Sequence, residues 1–133
     1  MLDASLLHKI DRLTREVAAD DAVRVLVVDS TDPEIFIAHA DVELILDLPA
    51  FTTSEDLGPH PELSLFHAVT EQVRTLPMAT VAVIQGVCRG GGCEFAMAFD
   101  MRFAALGTTV LGHPEVAPAG AQTRDCELGD RRQ

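Results

Sequence analysis

Apolar positions along the chain fall into alternating helical and extended runs. Leu6, Ile10, Leu13 and Val17 recur at three- and four-residue spacing, which predicts an amphipathic helix with Asp3 or Ser5 placed to cap it. "VRVLVVD" (23–29) is a β-branched run of the kind that forms a buried parallel strand. "STDPE" (30–34) reads as a turn, "FIA" (36–38) as a brief extended piece, and "DVELILD" (41–47) as a short helix N-capped by Asp41. Residues 49–60, with two prolines, a glycine and polar neighbours, read as a loop. Pro61 is suited to open a second helix, striped by Leu63, Phe66, Val69, Val73 and Leu76 and stopped by Pro77. "ATVAVIQG" (79–86) is a further strand, and three glycines lead into "CEFAMAF" (93–99), a short buried helix. "MRFAAL" (101–106) and "TVLG" (109–112) complete the strands. Helices alternating with apolar strands predict an α/β fold with a parallel sheet. "TRDCELGDRRQ" (123–133) has no apolar period and reads as a disordered end.

Composition narrows the classes of function. A chain of 133 residues is one domain at most, and 47% hydrophobic content is ordinary for a globular protein. The formal net charge is −11 and Lys9 is the single lysine. Phosphate-rich polymers and anionic membranes need clustered Lys and Arg, so neither nucleic acid nor membrane is expected as a partner. An anionic ligand would have to be held through backbone N–H groups. Cys88, Cys93 and Cys126 are an odd set without a C-x-x-C pair, which argues against a disulfide framework or zinc site and for a reducing compartment. No stretch has the charged and apolar regions of a signal peptide or the length of a membrane span, so a cytoplasmic location is expected. His8, His39, His60, His67 and His113 fall at no convincing metal-ligand spacing; they read as surface or packing residues, and no metal site is expected.

Two short stretches could carry chemistry. Gly90-Gly91-Gly92 stands at a strand-to-helix junction, where glycines permit close backbone approach and leave N–H groups free for a developing oxyanion. Taken alone, a tight packing turn is the better reading of that motif. Glu94 lies three residues after Gly91, where the helix dipole favours a carboxylate. Glu115 follows the last strand in "HPEV"; two carboxylates converging on one pocket are an acid/base arrangement, though Glu115 also fits a solvated loop charge. "FIAHAD" (36–41) offers a second strand end with N–H groups around Ala40, and an N-capped helix start is its bland alternative.

In this order the stretches "MLDASLL", "VRVLVVDS", "FIAHADV", "ATVAVIQGVCRGGGCEFAMAFDMRFAA" and "GHPEV" resemble the crotonase (enoyl-CoA hydratase/isomerase) family across nearly the whole chain. The resemblance implies a ββα spiral core over residues 1–116, with a divergent tail at 117–133. It implies binding of an acyl-CoA thioester whose enolate is stabilised by two backbone N–H groups, which fall on Ala40 and Gly91. Ala38, Ala40, Asp41, Val42, Glu43, Gly90 and Gly91 would line the substrate and CoA site. Glu94 and Glu115 match the two acids of the family's hydratases, Glu94 helping to activate water and Glu115 exchanging the proton at Cα. The resemblance implies no permanently bound cofactor, coenzyme A entering as part of the substrate, and a trimer-based homo-oligomer. Hydration of a 2-enoyl-CoA is the leading expectation; a non-catalytic fragment that binds CoA or associates with full-length relatives, and an isomerase, are the alternatives. Three departures stand out. His39 occupies a position where the family usually has glycine; "PAGAQTR" (118–124) is a shortened echo of a P-G-x-G-G-T-Q-R-like segment; and the family's N-terminal strand pair and C-terminal helical region have no counterpart, so truncation at both ends is expected.

Overall fold

The computed structural model describes residues 1–41 and 63–114. The "DVELILD" helix beyond Asp41, the 49–60 loop, Pro61, Val42, Glu43, Glu115, Cys126 and the tail therefore lie outside the described residues. In chain order the elements are α1 (Ala4–Ala18), β1 (Val25–Val28), β2 (Ile35–Ile37), α2 (Leu65–Arg74), β3 (Ala79–Ile84), β4 (Val87–Arg89), α3 (Gly91–Met97), β5 (Met101–Ala104) and β6 (Val110–Gly112).

The strands form two parallel sheets, ordered β1-β3-β5 and β2-β4-β6. Successive strands therefore alternate between sheets, and each strand pair is a new layer laid on the one before. The corners stack in the same way: Val87 N–H donates to Glu34 O at 2.8 Å, Val110 N–H to Gly86 O at 3.4 Å, and Thr108 Oγ1 to Gln85 O at 2.7 Å. Gly86 sits in that ladder because a Cβ there would fall 2.0 Å from the Glu34 carbonyl oxygen. Strand β4 has no counterpart in the sequence reading, which passed from the 79–86 strand directly to the glycines. A three-residue strand is too short for period-two alternation to register.

Both long helices follow their apolar stripes with shifts of detail. Asp3 is the cap of α1, its Oδ1 accepting the Leu6 N–H at 2.8 Å. The buried face is centred on Leu7 and Thr14, while Leu13 is 44% exposed. Thr14 is tolerated there because its hydroxyl lies 2.8 Å from both Asp11 O and Gln72 Oε1, and Gln72 Nε2 donates to Asp11 Oδ1 at 2.7 Å. That polar clasp locks α1 to α2. Helix α2 begins at Leu65 with Ser64 as its cap, which leaves Leu63 ahead of it, and ends before Thr75, whose hydroxyl donates to Glu71 O. Leu65, Ala68, Val69 and Val73 turn inward to join Leu2, Leu7, Phe36, Ile84, Phe95 and Phe99 in one core.

Of the β1-β3-β5 sheet only β3 has buried residues, and they lie on one face. Thr80, Ala82 and Ile84 face the core, whereas Val25, Val27, Met101 and Phe103 share the other face and are each between 43% and 58% exposed. The expected parallel pairing of β1 is present, but the strand is half-buried on one face and exposed on the other, which none of the described residues covers.

Candidate functional site

The triple glycine resolves into three separate requirements. Gly90 has φ 50° and ψ −128°, on the side of backbone space that side chains avoid. Its N–H donates to Gly112 O at 2.9 Å and its carbonyl accepts the Glu94 N–H at 3.1 Å, so it turns the chain out of β4 into α3. A Cβ on Gly92 would lie 2.4 Å from the Ile37 carbonyl oxygen, which lets α3 rest directly on β2. A Cβ on Gly91 would lie 2.8 Å from the Ala40 Cβ. The glycine run and "FIAHAD" stretches, some fifty positions apart in sequence, thus meet at Gly91 and Ala40.

Ala40 is held from its other side. It forms an isolated parallel bridge with Leu2, in which Leu2 N–H donates to His39 O at 3.0 Å and Asp41 N–H donates to Leu2 O at 2.9 Å. In that bridge residues 39 and 41 supply the bonds, so the N–H of Ala40 points away from Leu2. Gly91 is the first residue of α3, whose N–H has no intrahelical acceptor. Among the described residues neither N–H has a hydrogen-bond partner. Leu2, completely buried, is the residue that sequence reasoning missed here. Only the three-dimensional pairing identifies it as the anchor of Ala40.

Ala38, Ala40 and Asp41 are half-buried along the same segment. His39 is exposed, with Nδ1 3.1 Å from the Ala40 carbonyl oxygen, which places the imidazole on the carbonyl side of that residue. Glu94 is exposed in the first turn of α3, with no side-chain hydrogen bond or ion pair among the described residues. Its carboxylate is not spent on a structural contact. Behind α3, Cys93 Sγ donates to Cys88 O at 2.7 Å, and both thiols are free and buried. Burial first, and the neighbouring Cys93 second, push the Cys88 thiol up to about 12, which removes it as a nucleophile. Among the described residues no group of three or more His, Cys, Asp or Glu side chains could hold a metal ion, and no helix is long and apolar enough to cross a membrane.

Strand pairs that alternate between two parallel sheets, with a close glycine–alanine approach at a strand end, define a crotonase-type α/β protein. The chain belongs to the enoyl-CoA hydratase/isomerase family, whose model matches residues 2–117. It is 35% identical over 104 residues to human mitochondrial methylglutaconyl-CoA hydratase, covering 78% of this chain and 29% of that protein. It is 31% identical over 121 residues to the fatty acid oxidation complex subunit alpha of Shewanella halifaxensis, covering 87% and 16% respectively. A solved protein from Streptomyces avermitilis superimposes with a TM-score of 0.69 at 34% identity, covering 84% of this chain and 40% of that one. An enoyl-CoA hydratase from Bacillus anthracis gives 0.66 at 27% identity, with 84% and 40% covered. The chain thus spans less than a third of these curated relatives and about 40% of these solved structures.

Proposed function

We propose that this chain carries the oxyanion-binding part of an acyl-CoA hydratase site. The observation that supports it best is the meeting of Ala40 and Gly91, two half-buried residues whose N–H groups have no acceptor among the described residues. Two such donors suit a thioester carbonyl, whose oxygen gains charge as the enolate forms. Because both are backbone groups held by sheet and helix, they need little reorganisation when that charge develops. Loss of one such donor costs on the order of a hundredfold or more in kcat. Backbone donors also suit a protein of net charge −11 that must accept an anionic thioester.

Glu94 lies one helical turn from Gly91 and is uncommitted to any ion pair among the described residues, which fits a carboxylate that activates water. Glu115 is assigned the proton exchange at Cα. Ala38, Asp41, Val42 and Glu43 would line the CoA-binding segment, together with Gly90 and the two donors. The names of the relatives favour hydration of a 2-enoyl-CoA.

The test is hydration of crotonyl-CoA by the purified chain, followed as loss of enoyl-thioester absorbance. Turnover that falls sharply in both Glu94→Gln and Glu115→Gln supports hydration; double-bond migration that survives one of them indicates an isomerase. Absence of turnover by soluble, folded protein sinks the catalytic assignment. A second reading is favoured by the exposed apolar face of Val25, Val27, Met101 and Phe103: the chain binds CoA without turnover and associates through that face with full-length relatives. A protein that sediments as a lone monomer and turns over crotonyl-CoA excludes it.

A further inference from the structure

Each of the two proposed donors belongs to a peptide unit whose carbonyl is already taken. A trans peptide is planar, with its N–H and C=O pointing in opposite directions, so whatever holds the carbonyl also aims the N–H. No cis peptide bond occurs among the described residues. The Gly91 N–H shares its peptide with the Gly90 carbonyl, which accepts the Glu94 N–H at 3.1 Å, a bond that comes with the helix itself. The Ala40 N–H shares its peptide with the His39 carbonyl, and that carbonyl accepts the Leu2 N–H at 3.0 Å. Here the partner is remote in sequence, and nothing local to Ala40 provides it. Leu2 is suited to hold that peptide still. Its side chain is completely buried in the core, and its neighbour Asp3 caps α1, which the Thr14–Gln72–Asp11 clasp ties to α2.

Resting on the acyl-CoA reading above, we propose that Leu2 is a positioning residue for the oxyanion: its N–H fixes the direction of the Ala40 N–H and strengthens it as a donor. The direction follows from planarity. Rotating the 39–40 peptide away from the ligand would break the Leu2 bond and leave a buried N–H without an acceptor, at a cost of roughly 1–3 kcal/mol. The strengthening follows from polarisation. A peptide that accepts at its oxygen donates better at its N–H, by about 10–30% per bond in a chain of such bonds. Negative charge arriving at the Ala40 N–H therefore tightens the bond from Leu2 to His39 in return. The other bond of the bridge, from the Asp41 N–H to Leu2 O at 2.9 Å, belongs to the next peptide and lacks this direct coupling.

The test follows the amide resonances of the whole chain by NMR as two thioesters of equal acyl length are added, acetoacetyl-CoA, which ionises to an enolate, and butyryl-CoA, which does not. Acetoacetyl-CoA should move the Ala40 and Gly91 N–H signals downfield and the Leu2 N–H signal with them; butyryl-CoA should move all three less. Leu2 is closed to solvent, so the ligand cannot touch it, and a residue that merely packs would not respond. Ala40 and Gly91 signals that shift while Leu2 stays still overturn the proposal and leave the acyl-CoA reading intact. Signals that respond to neither thioester remove that reading and the proposal with it. Two variants separate the N–H from the side chain: Leu2→Ala keeps the donor and Leu2→Pro removes it. Leu2→Pro should bind acetoacetyl-CoA roughly 10- to 100-fold more weakly than Leu2→Ala, the range for a hydrogen bond to a charged group. Equal affinities in the two folded variants also overturn the proposal. The resonance comparison needs no variant and so is independent of whether Leu2→Pro folds.

Discussion

Replacing Gly91 by alanine tests whether the glycine run serves the site or only the packing. The new Cβ would stand 2.8 Å from the Ala40 Cβ, where carbon atoms prefer about 3.5–4.0 Å. About 1 Å must therefore open between the start of α3 and the Ala40 segment. Neither side yields cheaply, since the clashing atom is fixed to backbone that Leu2 pins through two hydrogen bonds. Overpacking of this kind costs about 1–3 kcal/mol, and alanine recovers up to about 1 kcal/mol of helix propensity. The net loss of stability is small, about 0–2 kcal/mol. The effect on chemistry is larger, because a 1 Å displacement of a positioned group can cost on the order of a hundredfold in rate. The assay pairs crotonyl-CoA turnover with thermal unfolding. Gly91→Ala should stay folded with a modest drop in Tm and lose on the order of a hundredfold in kcat. Gly107→Ala is the control: Gly107 has φ +87° and open space around it, so alanine there brings backbone strain of about 1 kcal/mol and no change in kcat. A Gly91→Ala protein that keeps kcat within threefold refutes the reasoning.

Other outcomes follow from the same geometry. Gly86→Ala should destabilise more than Gly91→Ala, since its Cβ meets the Glu34 carbonyl at 2.0 Å and the corner bond from Val87 would be lost; chemical denaturation reads this directly. The Thr80 N–H and hydroxyl hold the Asp100 carboxylate at 2.8 and 3.0 Å, and these bonds lower its pKa from the ordinary value. A carboxylate depressed in the folded state contributes stability above its unfolded pKa of about 3.9 and loses it as pH falls through the folded value. Stability measured below pH 4 should therefore decline less steeply in Asp100→Asn than in the unmodified chain. At pH 8, alkylation followed by peptide mapping should leave Cys88 unmodified in the folded protein and modify it once denaturant is added, because burial keeps the thiol protonated.

What local pattern alone determined was most of the elements among the described residues, β4 excepted. The stripe through Ile10, the Asp3 cap, the apolar β3 run and the break at the glycines each rest on interactions within a few residues, and each stands in the structure. The ordered motifs were enough to reach the family, with Ala40, Gly91 and Glu94 named by position. Only the tertiary structure decided how these parts meet. That β1 and β2 belong to different sheets, that Leu2 anchors Ala40, and that Gly90, Gly91 and Gly92 answer to Gly112, Ala40 and Ile37 are facts about partners dozens of residues away. Burial was legible by period but not by phase: Leu13 keeps helical spacing yet faces solvent, while Thr14 goes inside because Gln72 meets its hydroxyl. The exposed side of β1 shows the same limit from the other direction. Its valines carry full strand propensity, and whether they are covered depends on what packs across the sheet. Hydrophobic spacing specifies a surface to be buried; the contact that buries it, or brings two amides to one point, is made by chain folded from elsewhere.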